Sequence, residues 1–210
     1  MKNLFTIMLI LLVASGFAQN QKYIKAMMTG KSMIGQADTI TELVAAANYF
    51  ERIAQNEKEE WLPNYYQGQA LTFAGLQVEK EARETYLNSA LDCIKNAASI
   101  ERNAELVAME GFIQMMRLSV DPATRGRILS PTIYALFREA LLLDPNNPRA
   151  QLFMGQMEFG SAQFFGSGTE KSCEYIQRAN SLFAKESTDD TIFPNWGNKT
   201  ALGMAENCNQ

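Results

Sequence analysis

Apolar residues recur at three- and four-residue spacing through most of the chain, the signature of amphipathic helices. The clearest case is Ile133 to Gly155. Phe137, Ala140 and Leu141 lie on one helical face, Pro145 stops that helix, and Asn146 or Asn147 with Pro148 opens the next. Upstream, Thr39-Ile-Thr-Glu42 is a capping box, and the helix it opens carries Leu43, Ala46, Ala47, Phe50 and Ile53 inward, to end near Gln55. Pro63 starts a helix through Tyr66, Gly68, Ala70 and Phe73 that Gly75 should close. Further helices are predicted over about 81–98 and 103–118, and from Thr169 or Glu170 through Cys173, Ile176, Ala179 and Phe183. Residues 19–35 are weakly patterned, with room for one or two turns around Tyr23 and Met27. Residues 120–131 and 160–168 read as loops, and a short helix over about 199–207 as a C-terminal cap.

The spacing of these patterns is itself periodic. Gly68, Gly111 and Gly155 fall in the first helix of successive pairs, 43 and 44 residues apart. The large residues Phe50, Ile94, Phe137 and Ile176 fall in the second helices, in the triplets Ala90/Ile94/Ala97, Ile133/Phe137/Ala140 and Ser172/Ile176/Ala179, with Ala46/Phe50/Ile53 a weaker fourth. A glycine facing its partner helix permits close approach, and the large residue fills the groove beside it. One such pair cannot bury its own apolar face, so pairs are expected to stack.

Composition narrows the function classes. Lys2, an apolar run from Leu4 to Val13, and Gly16-Phe17-Ala18 predict a signal peptide over residues 1–18, cleaved before Gln19. No later stretch is apolar enough to span a bilayer, so the mature chain is expected to be soluble and periplasmic or secreted. It carries 18 basic and 23 acidic residues and no basic stripe, which argues against nucleic acid. An exported location permits a disulfide, for which Cys173 and Cys208 are the expected pair, and Cys93 fits a buried free thiol. The chain has no histidine, so no His-based zinc site and no His-activated serine can exist. Gly166-Ser167-Gly168 matches neither a phosphate loop nor a nucleophile elbow, and no carboxylate pair has a spacing that points to acid–base work. Arg125 and Arg127 with Asp121 could bind an anionic group, but a loop in which Asp121 ties down its own backbone and an arginine accounts for them better. Catalytic residues, metal and cofactor are therefore all expected to be absent.

The hairpins resemble tetratricopeptide repeats. The distance from a large residue to the next glycine is 18, 17 and 18 residues, and the Leu143-Asp-Pro-Asn-Asn-Pro148 turn fits that family. The distance from glycine to large residue within a unit, 26, 26 and 21, is longer than the family pattern. Val120-Asp-Pro, Arg125-Gly126, Phe165-Gly-Ser-Gly168 and Pro194-Asn-Trp-Gly197 resemble a group of exported bacterial tetratricopeptide-like proteins without assigned activity, with Ser167 where a third glycine is expected. The resemblance implies an all-α, right-handed array of about three hairpins with flanking helices over residues 19–198, and a cap or tail over 199–210. It also implies a concave, partner-facing surface formed by the first helix of each hairpin. In that phase the surface comprises Tyr65, Gln69 and Thr72, then Glu105, Phe112 and Met115, then Arg149, Gln156 and Phe159.

A non-catalytic envelope protein that binds a protein or peptide partner, as adaptor or assembly factor, is the expectation. The alternative is a small-molecule or glycan-binding protein that uses Trp61, Tyr65 and Trp196, aromatics in or beside connectors and expected to be exposed.

Overall fold

The computed structural model describes residues 20–186 and 191–208; the predicted signal peptide lies outside them. The described residues form nine α-helices and no strand. They are α1 (20–36), α2 (Ile40–Asn56), α3 (Leu62–Gln77), α4 (Lys80–Ile100), α5 (Ala104–Val120), α6 (Pro122–Leu143), α7 (Pro148–Phe165), α8 (Glu170–Phe183) and α9 (Asn198–Asn207). Helices α3 and α4, α5 and α6, and α7 and α8 pack as hairpins, and α5 in turn touches α3, α4 and α7. The all-α architecture thus follows from the period of the apolar positions.

Each hairpin is locked by the small-against-large contact that the spacing predicts. A Cβ at Gly68 would lie 3.0 Å from Ile94 Cδ1, one at Gly111 2.5 Å from Phe137 Cε1, and one at Gly155 2.7 Å from Ile176 Cγ1. Phe137, Ile94 and Ile176 are fully buried, a gain of roughly 1.5–3 kcal/mol for each side chain. The same contact occurs a fourth time, between Gly30 of α1 and Phe50 of α2. The weakly patterned N-terminal stretch is thus a full helix and the first member of a fourth hairpin.

Local chemistry sets the boundaries. Thr39 accepts from the Glu42 N–H at 3.3 Å while the Glu42 carboxylate accepts from the Thr39 N–H at 2.9 Å, completing the capping box. Asn103 and Asn147 cap α5 and α7 through the N–H groups of Leu106 and Ala150.

Three boundaries differ from expectation. Residues 122–131 are not a loop but the first half of α6. Asp121 caps that half by accepting from Thr124, Pro122 occupies its first turn, and Arg125 fastens it to Glu84 of α4 and to the Arg117 carbonyl. Gly75 does not end α3; it faces α4, with Tyr86 Cβ 3.1 Å from where its own Cβ would be. The end comes at Gln77, and Arg83 of α4 binds the Gly75 carbonyl at 3.0 Å. Helix α7 runs through Gly160 and stops at Gly166, whose φ of +68° is the left-handed cap that suits glycine.

Cys173 and Cys208 are joined by a disulfide that links α8 to the end of α9, and Cys93 is a buried free thiol. Burial, with the nearby carboxylates of Asp92 and Glu51, pushes that thiol up to about 12. Among the described residues no helix is long and apolar enough to cross a membrane.

Candidate functional site

Helices α3, α5 and α7 present one continuous face, and the chain's own residues 191–197 lie across it. Trp196 is central to this cover. Its ring packs against Phe73 at 5.4 Å, Phe153 at 5.8 Å and Phe112 at 6.0 Å, while Phe112 and Phe153 stack at 4.5 Å. Its indole Nε1 donates to Tyr65 Oη at 2.8 Å. Tyr66 Oη donates to the Ile192 carbonyl at 2.8 Å, and Lys31 Nζ donates to the carbonyls of Thr191 and Phe193 at 2.7 and 2.8 Å. Gly197 turns the chain into α9 at φ +101°, and a side chain there would meet Phe183.

Beneath this cover lies a buried charged network. Glu105 enters from the first turn of α5 and Arg149 from the first turn of α7. Arg149 Nε donates to Glu105 Oε2 at 2.7 Å, Nη1 to the Trp196 carbonyl at 3.0 Å, and Nη2 to Glu186 Oε1. Glu105 also accepts from Asn147 Nδ2 at 2.5 Å and from Tyr65 Oη at 3.5 Å. The guanidinium lies 5.6 Å from the centre of the Phe183 ring. Burial works against the charge of Arg149, but the Glu105 and Glu186 carboxylates more than offset it and hold the guanidinium protonated above its ordinary pKa. Burial, and then the negative charge of Glu105, raise the Tyr65 phenol well above its usual value, so Tyr65 stays a neutral donor.

A groove of about 980 Å³ opens at one edge of this network, where the N-termini of α3, α5 and α7 converge. Trp61, Leu62, Leu143, Leu182 and Phe193 supply its apolar wall. Glu105, Asn147, Arg149 and Glu186 reach it from the network, and Arg102 and Lys185 add cationic groups at its rim. Arg102 is held by Glu139 through two hydrogen bonds of 2.8 and 2.9 Å, whereas Lys185 is exposed and makes no ion pair among the described residues.

The nine expected surface residues therefore have different fates. Tyr65, Glu105 and Arg149 come together in one network, and Phe112 joins the aromatic cluster around Trp196. Gln69, Thr72 and Met115 are buried, and the Thr72 hydroxyl returns to its own helix at the Gly68 carbonyl. Gln156 is half-buried against Met204 of α9, and Phe159, 38% exposed, lies away from the groove. Tyr65 is not exposed: Trp196, Trp61 and Tyr66 surround it, and Trp61 and Trp196 are themselves partly buried. Arg125 and Asp121 both serve structure rather than an anion, the one through Glu84 and the other through the α6 cap. Asn147, Lys185 and Glu186 carry no sign of a site in the sequence; the Asn-Asn-Pro turn marks the first as a cap only. No group of three or more side chains suited to hold a metal occurs among the described residues.

No protein-family model matches the chain, and no curated protein sequence matches it. Among solved structures, the fold is similar to that of the HusA haemophore from Porphyromonas gingivalis, with a TM-score of 0.80 at 22% identity, covering 89% of this chain and 92% of that one.

Proposed function

We propose that this chain is an exported, non-catalytic binding protein that carries a flat apolar molecule with acidic groups, of the porphyrin class, in the groove at the N-termini of α3, α5 and α7. The observation that carries this reading is the groove itself. It pairs an aromatic and aliphatic wall with the cations Arg102, Arg149 and Lys185, set among the carboxylates of Glu101, Glu105, Asp144 and Glu186, and its volume of about 980 Å³ lies within the roughly 300–1,000 Å³ usual for small-molecule sites. The similarity of fold to a haemophore directs the choice of ligand. Among the described residues no histidine, methionine, cysteine or tyrosine lines the groove. The ligand is therefore held by its ring and its acidic groups, and iron adds little.

The test is a titration of the mature protein with protoporphyrin IX, with and without iron, followed by tryptophan fluorescence and porphyrin absorption. Saturable one-to-one quenching by both forms is expected, weakened about tenfold by Trp61→Leu, on the scale of one lost aromatic contact. Absence of saturable binding by either form would overturn the reading.

A second reading, an adaptor for a protein partner built on atypical tetratricopeptide-like hairpins, is favoured by the exposed aromatics Phe164 and Phe165 at the end of α7. The inner face that such an adaptor would offer is already filled by residues 191–197 of the chain itself.

A further inference from the structure

The three acceptors around Arg149 are not equivalent. Glu105 is buried and fixed by Asn147 and Tyr65 as well as by Arg149. The Trp196 carbonyl belongs to the covering segment. Glu186 is different: it lies just beyond the last turn of α8, and its side chain is 21% exposed against 1% for Arg149. Among the described residues, Arg149 is the one partner its carboxylate has. Glu186 also lines the groove. The Arg149 guanidinium thus turns two donors inward and the third toward a carboxylate at the groove's edge.

Resting on the groove reading above, we infer that Glu186 is a built-in stand-in for a carboxylate of the ligand. An acidic ligand displaces Glu186 from Arg149 Nη2, takes its place, and sets a second acidic group against Lys185. Three features support the exchange. First, a buried guanidinium left without a partner is costly, so it accepts a ligand readily only if one carboxylate replaces another. The ligand leaves the number of negative charges around Arg149 unchanged, while Glu186, on a turn at the surface, returns to water. Second, the other cation at the rim is already engaged, because Arg102 is held by Glu139 and lies near Glu110. Lys185, next in sequence to Glu186, is the uncommitted one among the described residues. Third, the remaining acids of the rim are occupied locally: Glu101 accepts from the Asn103 side chain and Asp144 from the Asn146 N–H. The specificity determinants are therefore Arg149 and Lys185, with Glu186 as the competitor that sets the threshold. The ligand class is a planar apolar diacid.

The test compares protoporphyrin IX with its dimethyl ester, which keeps the ring and lacks the free carboxylates, on wild type, Glu186→Gln and Lys185→Ala, with unchanged circular dichroism as the check on folding. Removing the competing charge in Glu186→Gln should tighten the diacid about tenfold, on the scale of one charge-assisted hydrogen bond, and leave the ester unchanged. Lys185→Ala should weaken the diacid alone. If both ligands bind and neither variant separates them, the exchange is wrong while the groove reading stands. If neither ligand binds any form, both fall.

Discussion

Replacing Gly111 by alanine tests the packing rule on which the whole fold depends. The new methyl would lie 2.5 Å from Phe137 Cε1 and 2.8 Å from Cδ1, far inside the roughly 3.5–4.0 Å at which carbon atoms rest. Phe137 is fully buried and leans on Phe153, so its ring cannot recede without moving the next hairpin. Overpacking of this kind costs about 1–3 kcal/mol. Alanine recovers roughly 1 kcal/mol through its better helix propensity. The expected net effect is a destabilisation of up to about 2 kcal/mol. Gly160, exposed on α7 with nothing within 4 Å of the position its methyl would take, is the control, and alanine there should stabilise by about 0.5–1 kcal/mol. Urea unfolding followed by tryptophan fluorescence measures both. With slopes of about 1–3 kcal/mol/M, the two midpoints should lie on the order of 1 M apart, in opposite directions from wild type. Equal midpoints would refute the close-approach argument. The cost should fall from Gly111 through Gly155 to Gly68, where the nearest atoms stand further off, Ile94 Cδ1 at 3.0 Å and the Ala90 carbonyl oxygen at 3.1 Å.

Two further outcomes test the covalent and titrating groups. Replacing Cys173 and Cys208 by serine opens a loop with a sequence separation of 35, and should cost about 4 kcal/mol by the loop-entropy estimate, with hydrogen-exchange protection lost first in α9 and around Trp196; unchanged protection there would show that packing alone holds the cap. For Cys93 the folded pKa is raised, so the folded state keeps a proton that the unfolded state gives up. Its contribution to stability is complete below the ordinary thiol pKa of 9.0 and falls as pH climbs from there toward about 12. Between about pH 9 and 12 wild type should lose stability faster than Cys93→Ala, and iodoacetamide should label Cys93 only after denaturation; parallel pH profiles or rapid native labelling would contradict the burial.

The sequence by itself determined most of the helices, the caps at Thr39 and Asn147, three of the hairpin pairings and the close contacts within them. Gly111 and Phe137, or Gly155 and Ile176, lie about one hairpin apart, and a fixed helical period places each on a known face. The Gly30–Phe50 pair falls outside that series, because Gly30 precedes Gly68 by 38 residues where the later glycines are 43 and 44 apart, although Tyr23, Met27 and Ile34 keep a helical period around it. Residues 122–131 read as a loop because an Asp-Pro pair starts a helix as readily as it ends one; here Asp121 caps the helix locally and Arg125 ties it to the distant Glu84. Tertiary structure alone decided what lies on the inner face. Tyr65 meets Trp196 across 131 positions and Tyr66 meets Ile192 across 126, and no local period encodes a contact of that range. A polar residue on a helix's inner turn, such as Glu105 or Arg149, has the same pattern whether it awaits a partner or already has one. Its burial depends on which segment folds over it. Here that segment is the chain's own C-terminal stretch, which closes the broad face and leaves the groove at its edge.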